Sequence, residues 1–270
     1  MCEHGPVEQA AAAGTPGSRM SDGAWLVDLD GVIWLADEPI AGSAEAVIRL
    51  RAQGTRVVFA TNNAAPTVEQ LLSRLRRAGI ESEPEDLITS AQAAASLLAP
   101  GSRVFPCAEG GVVEALTVAG MSVVDEGPAD AVVVGLTRRF DYELLDRAAR
   151  LVRRGARFIG TNEDATYPTP DGLLPGAGAL LAAVATAAQA TAEVAGKPHQ
   201  PMADLIRRRV PKVGLVVGDR PSTDGALARQ LGVPFALVRS GVTGNGQQPL
   251  AVRPDHDLPD LGALVASRLG

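Results

Sequence analysis

The sequence predicts an α/β fold built on a mainly parallel sheet. Two observations carry that expectation. Val-rich apolar runs alternate with amphipathic stretches along the chain, and the runs are nearly continuous rather than alternating apolar with polar. Strands covered on both faces need such runs, and the helices covering them need one apolar stripe each. Composition agrees: apolar residues make up 46% of the 270 and aromatics only 3%, so Ala, Gly, Val and Leu must fill the core.

The expected strands are Trp25–Leu29, Arg56–Ala60, Arg103–Cys107, Ala131–Leu136, Ala156–Gly160, Val213–Val217 and Pro234–Val238. The expected helices lie near Ser43–Gln53, Thr67–Gly79, Tyr142–Arg154, Ala179–Gln189 and Met202–Arg209. The second helix has the clearest signals. Thr67 with Gln70 three residues on forms a capping-box pattern, Leu71, Leu72 and Leu75 fall on one face, and Gly79 stops it. Arg74, Arg76, Arg77 and Arg207–Arg209 read as solvated faces of such helices.

Charge and cysteine usage exclude several classes. A net charge of −6 argues against a general nucleic-acid binder, which needs a basic face. A small anionic substrate is compatible, because a local site can be positive in an acidic protein. No apolar run reaches the roughly eighteen residues of a membrane span, so no membrane association is expected. Cys2 and Cys107 do not make a disulfide framework, and a reducing cytoplasm is the simplest compartment. Residues 1–22 read as a disordered N-terminal extension. A homodimer is left open.

The chemistry gathers where strands end. Trp25–Leu29 runs into Asp28-Leu29-Asp30-Gly31, two carboxylates spaced by one residue and then a glycine. Ligands of open parallel sheets bind outside the carboxyl ends of strands, and Gly31 lets the chain turn close to an anion. By itself Asp-x-Asp-Gly also fits a solvated turn. A calcium loop fails, because Val32-Ile33-Trp34-Leu35 is apolar where oxygen ligands should follow. Arg56–Ala60 ends in Thr61-Asn62-Asn63, and Val213–Val217 ends in Gly218-Asp219-Arg220-Pro221-Ser222-Thr223-Asp224. Between them stands Gly196-Lys197-Pro198. Carboxylates suit a hard cation such as Mg²⁺, while lysine, amides and hydroxyl suit a phosphate.

In order, these four segments resemble the four motifs of the haloacid-dehalogenase-like superfamily. The branch resembled is subclass IIA, which holds NagD-like, 4-nitrophenylphosphatase-like and phosphoglycolate phosphatase-like enzymes with a C2-type cap inserted between the second and third motifs. Thr161-Asn162-Glu163-Asp164 followed by Pro175-Gly176-Ala177-Gly178 is similar to the end of that cap. The resemblance implies a Rossmann-like parallel-sheet core domain over 23–89 and 191–270 with an inserted α/β cap domain over 90–190. It implies a phosphatase acting on a small phosphate ester, with Asp28 as nucleophile and Asp30 as general acid and base. Thr61, Asn62 and Lys197 would bind phosphate. Asp28, Asp30 (through its carbonyl) and Asp219 would hold Mg²⁺, and Asp224 would orient the ion's surroundings.

The loop from Asn162 to Pro175 is then the expected specificity loop, with Asn63, Asn162, Asp164 and Tyr167 as its candidate contacts. Tyr167 falls where pyridoxal-phosphate phosphatases carry histidine, which lowers that substrate. A small polyol phosphate such as glycerol 3-phosphate is the favoured substrate. Nucleotides and phosphoglycolate remain alternatives within the branch. A non-catalytic phosphometabolite-binding module is the alternative outside it, although binding alone does not need a nucleophile beside an acid.

Overall fold

The structure is a computed structural model and describes residues 23–36, 38–169, 172–244 and 250–269. The extension expected over 1–22 lies outside the described residues. Six strands form the larger sheet in the order His256–Leu258, Phe235–Val238, Val213–Gly218, Ala24–Val27, Val57–Thr61, Leu87–Thr89, and all neighbours pair in parallel. The chain starts at the centre and moves outward to one side, then returns at Val213–Gly218 and moves outward to the other. The sheet therefore changes direction between Ala24–Val27 and Val213–Gly218, the kind of switch point that opens a crevice at the carboxyl ends.

A second parallel sheet is inserted after Leu87–Thr89. Its order is Glu193–Val194, Arg157–Gly160, Ala131–Val134, Arg103–Cys107, Ser122–Val123. Glu193–Val194 lies beyond the expected cap limit of 190. It is too short to show an apolar run, and only its pairing with Ile159 and Gly160 assigns it to this sheet.

Side chains alternate across each strand and so build two layers on the larger sheet. Trp25, Val27, Val57, Phe59, Leu215 and Val217 pack under Ser43–Ala52, Val68–Arg77 and Leu261–Leu269. Leu26, Val58, Ile88, Val216 and Leu237 pack under Ser90–Ala95, Gln200–Arg209 and Ala226–Leu231. This second layer continues without a break into Val104, Ala131, Val133 and Ile159 of the inserted sheet. The helix Ser90–Ala95 joins the two, with Ala91, Ala93, Ala94 and Ala95 all buried.

The capping box at Thr67 forms as expected: Thr67 Oγ1 accepts from Gln70 N at 3.2 Å, and Gln70 Oε1 accepts from Thr67 N at 2.9 Å. One reading is corrected: the Asn162–Pro175 loop contains an antiparallel hairpin, Thr166–Thr169 with Gly172–Pro175. His256 lies in the edge strand His256–Leu258, whose edge position tolerates polar residues. Among the described residues, no helix is long and apolar enough to cross a membrane.

Candidate active site

Three neighbouring strands deliver their ends to the crevice. Ala24–Val27 stops just before Asp28, Val57–Thr61 ends on Thr61, and Val213–Gly218 stops just before Asp219. Asp28, Asp219 and Asp224 place carboxylate oxygens within 4.8 Å of one another. Lys197 reaches them from a different segment and is only 3% exposed. Its Nζ lies 2.8 Å from Asp28 Oδ1 and 2.7 Å from Asp224 Oδ1, and it donates to the Ala60 carbonyl at 2.8 Å. All three ammonium protons are thereby used.

The acceptors divide into committed and open ones. Asp28 Oδ1 also accepts from Leu29 N at 2.8 Å. Asp224 is committed on both oxygens, with Oδ2 accepting from Arg220 N at 3.2 Å. Asp219 Oδ2 accepts from Val242 N at 2.5 Å. Among the described residues, Asp28 Oδ2 and Asp219 Oδ1 accept no hydrogen bond. These are the oxygens that a cation or an electrophile can meet.

Glycines make this closeness achievable. A Cβ on Gly31, where φ is +83°, would stand 2.3 Å from Asp219 Oδ2, and one on Gly241 would stand 2.0 Å from the same atom. A Cβ on Gly218 would stand 2.2 Å from Asp224 Cγ. Asp224 itself sits on a short π-helical turn, Pro221–Gly225, that follows the strand.

Burial dominates the electrostatics. It pushes the Asp28 carboxyl well above its ordinary range, and the charges of Asp224 and Asp219 push the same way while Lys197 opposes them. Burial and then Asp224 raise Asp219 to about 6. For Lys197 burial works against the charge, but Asp224 and Asp28 outweigh it and hold the ammonium protonated. An all-oxygen, acidic, desolvated donor set of this kind fits a hard divalent cation.

Asp30 lies on the same cavity wall, and its Oδ1 accepts from Trp34 Nε1 at 2.9 Å. Arg74 also lines the cavity and stacks on the same indole, with its Cζ 4.3 Å from the Trp34 ring centroid. Thr61 is buried at the cavity, and its Oγ1 accepts from Asn63 N at 3.0 Å. Asn63 turns its own Oδ1 back to Ala65 N at 3.2 Å.

The Asn62 side chain is a fastener. Its Nδ2 donates to the Lys197 carbonyl at 3.0 Å and to Asp164 Oδ2 at 3.1 Å, and its Oδ1 accepts from Lys197 N at 2.7 Å. Asn162 and Asp164, expected as substrate contacts, do similar work. Asn162 Nδ2 donates to the Asn62 carbonyl at 2.8 Å, and Asp164 Oδ1 pairs with Arg220 Nη1 at 2.7 Å. They border the cavity, yet their polar atoms join the hairpin region to the larger sheet.

The cavity encloses about 510 Å³, with the two sheets facing one another across it by their carboxyl ends. Asp28, Thr61 and Asp219 line one side; Glu109, Arg138 and Tyr167 line the other. Tyr167 accepts from Arg138 Nη2 at 3.3 Å through its hydroxyl. Glu109 and Arg138 were not anticipated. Each lies two residues past an expected strand, Arg103–Cys107 and Ala131–Leu136, so the strand-end rule that found Asp28 also points to them. His199 is half-buried, with its Nε2 3.0 Å from Glu163 Oε1.

Comparison with known proteins agrees with this geometry. A haloacid dehalogenase-like hydrolase family profile matches residues 25–122, and a related HAD-hydrolase-like profile matches 194–264. An acid sugar phosphatase of Staphylococcus aureus is 33% identical over 253 residues, covering 90% of this chain and 96% of that one. The p-nitrophenyl phosphatase from Archaeoglobus fulgidus superposes with a TM-score of 0.85 at 30% identity, covering 92% of this chain and 99% of its own. A glycerol phosphate phosphatase from Mycobacterium tuberculosis, solved in complex with magnesium, superposes with a TM-score of 0.81 at 34% identity, covering 91% and 76%. With its strand-end carboxylates and its relatives in agreement, the chain belongs to the haloacid dehalogenase-like hydrolase family, in its NagD-like branch of phosphatases.

Proposed function

We propose that this protein hydrolyses a small phosphate monoester through a phospho-aspartate on Asp28, with Mg²⁺ as cofactor and a polyol phosphate such as glycerol 3-phosphate as substrate. The observation that carries the reading is the buried Lys197 ammonium held between Asp28 and Asp224 beside the open oxygens of Asp28 and Asp219. A binding module needs neither an open carboxylate oxygen nor an acid beside it.

Asp28, Asp219 and the Asp30 carbonyl are the groups that would hold Mg²⁺, with Asp224 behind them. When bound, the ion supplies positive charge that offsets repulsion between the Asp28 carboxylate and a phosphate dianion. Asp28 Oδ2 forms the new bond to phosphorus as the ester P–O bond breaks. Asp30 gives its proton to the departing alkoxide. It then takes a proton from water, whose oxygen attacks phosphorus and frees Asp28. Trp34 fixes the Asp30 carboxyl for both transfers. Thr61 holds a phosphoryl oxygen through its hydroxyl proton, and the Lys197 ammonium, kept in place by the Asn62 clasp, supplies positive charge beside it.

The inserted sheet is read as a cap, expected over 90–190 and extended here to Val194, whose strand ends complete the cavity and keep water from the reacting centre. The relatives named acid sugar phosphatase and glycerol phosphate phosphatase support a hydroxylated leaving group, and the one solved with magnesium supports the ion. Buried, unpaired Cys107 suits a reducing cytoplasm.

The test is phosphate release from 4-nitrophenyl phosphate and glycerol 3-phosphate, with Mg²⁺ and with chelator, followed by acid quenching of a labelled substrate. Metal-dependent turnover and label retained on a peptide containing Asp28 are the expected results. No metal-dependent turnover of any monoester, or turnover with no trapped label, would overturn the mechanism.

A further inference from the structure

Glu109 stands at the N-terminal boundary of the helix Gly110–Val118, two residues past the strand Arg103–Cys107, and lines the cavity from the inserted sheet. One of its oxygens is fixed from behind: Oε1 accepts from Thr137 Oγ1 at 2.9 Å and from Arg138 N at 3.0 Å. The backbone N–H of Arg138, more than any other group, holds the carboxyl below its usual range, so Glu109 is ionised at neutral pH. Oε2 is the open oxygen. Its nearest cation is Arg139 Nη2 at 3.9 Å, and among the described residues it accepts no hydrogen bond. Beside it on the same wall, the Tyr167 hydroxyl accepts from Arg138 Nη2 at 3.3 Å, which leaves the phenolic proton available to donate.

The wall opposite the nucleophile thus offers a fixed anionic acceptor and, on the same wall, a phenolic donor. A hydroxyl group is donor and acceptor at once and satisfies both kinds of partner. A leaving group without hydroxyls gains nothing from Glu109 Oε2. A leaving group carrying a carboxylate brings a second negative charge toward it.

We infer that Glu109 is the recognition residue for a neutral, hydroxylated leaving group, accepting a hydrogen bond from a substrate hydroxyl through Oε2 and disfavouring esters that carry a carboxylate. The inference rests on the catalytic reading above and names the residue that sets its substrate class.

The experiment compares wild type, Glu109→Gln and Thr137→Val on three Mg²⁺-supported substrates: glycerol 3-phosphate, 4-nitrophenyl phosphate and 2-phosphoglycolate. For Glu109→Gln, kcat/KM on glycerol 3-phosphate should fall by about 10- to 100-fold, as loss of a charged hydrogen bond implies. The fall should lie mainly in KM. On 4-nitrophenyl phosphate, which has no hydroxyl to read, the change should stay within about threefold, and turnover of 2-phosphoglycolate should rise. Thr137→Val, which loosens the fixed oxygen and keeps the charge, should fall between wild type and Glu109→Gln in selectivity. Equal losses on all three substrates would assign Glu109 a purely structural role and overturn the inference. So would an unchanged ratio of glycerol 3-phosphate to 4-nitrophenyl phosphate turnover in an active enzyme. A wild type that hydrolyses none of the three overturns the catalytic reading itself.

Discussion

Asn62 and Lys197 hold one another from both directions: the Asn62 amide donates to the Lys197 carbonyl at 3.0 Å while its oxygen accepts from the Lys197 N–H at 2.7 Å. The clasp spans 135 residues of chain, and the same amide also reaches Asp164. Only an amide carries the donor and acceptor that this pairing needs. Asn62→Asp would set a carboxylate against the Lys197 carbonyl and the Asp164 carboxylate. It should cost about 2–4 kcal/mol of stability, the range for a broken buried polar network. Urea unfolding followed by circular dichroism measures it, and an unchanged midpoint would show that the clasp contributes nothing.

Asp28→Asn removes the nucleophile and keeps the shape. Turnover of 4-nitrophenyl phosphate with Mg²⁺ should drop by roughly three to four decades, because the covalent path is lost. The far-ultraviolet spectrum should stay near wild type, and the melting temperature of the metal-free protein should not fall, since burial already works against the Asp28 charge. Wild-type turnover in a clean preparation would contradict the assignment.

Asp219 links stability to pH. Its folded-state pKa is raised from 3.8 to about 6, so the contribution of the neutral group is fully present below 3.8 and is lost as pH rises through 6. In the metal-free protein at pH 7.5, Asp219→Asn should therefore stabilise the fold by about 3 kcal/mol, and the gain should shrink to about half by pH 5. Added Mg²⁺ should raise the melting temperature of wild type more than that of the variant. A gain independent of pH would show that charge is not its cause.

Gly241→Ala probes the crowding around the same carboxylate, since its Cβ would stand 2.0 Å from Asp219 Oδ2. The carboxylate must move, so the Mg²⁺ concentration giving half-maximal activity should rise by about tenfold or more, the usual scale for a disturbed ligand shell. Titration of activity against Mg²⁺ at saturating substrate reads the shift directly.

How much of this could be read from the chain alone depends on how local each signal is. Asp28, Thr61 and Asp219 were legible because each ends a buried apolar run, and the rule about strand ends needs no partner strand. Lys197 had no such signal: it stands between a glycine and a proline beyond any apolar run, and only the resemblance brought it to the site. Leu87–Thr89 and His256–Leu258 were missed because three-residue strands show no period, and the second is polar at an edge. Glu109 and Arg138 carry the same signal in thinner form, because one residue separates each from the apolar run it follows. Asn162 and Asp164 border the cavity, yet their fastening contacts depend on Asn62 and Arg220, distant in sequence.

The alanine helix Ser90–Ala95 has a consequence for how the molecule comes apart. It shares one apolar layer with both sheets and packs against Gln200–Arg209, a segment that returns only after the inserted sheet is complete. Neither half can finish its interior until the other is in place, so heating should melt both in a single cooperative step. A fragment ending at Val194 would leave that helix wet on one side, an invitation to aggregate.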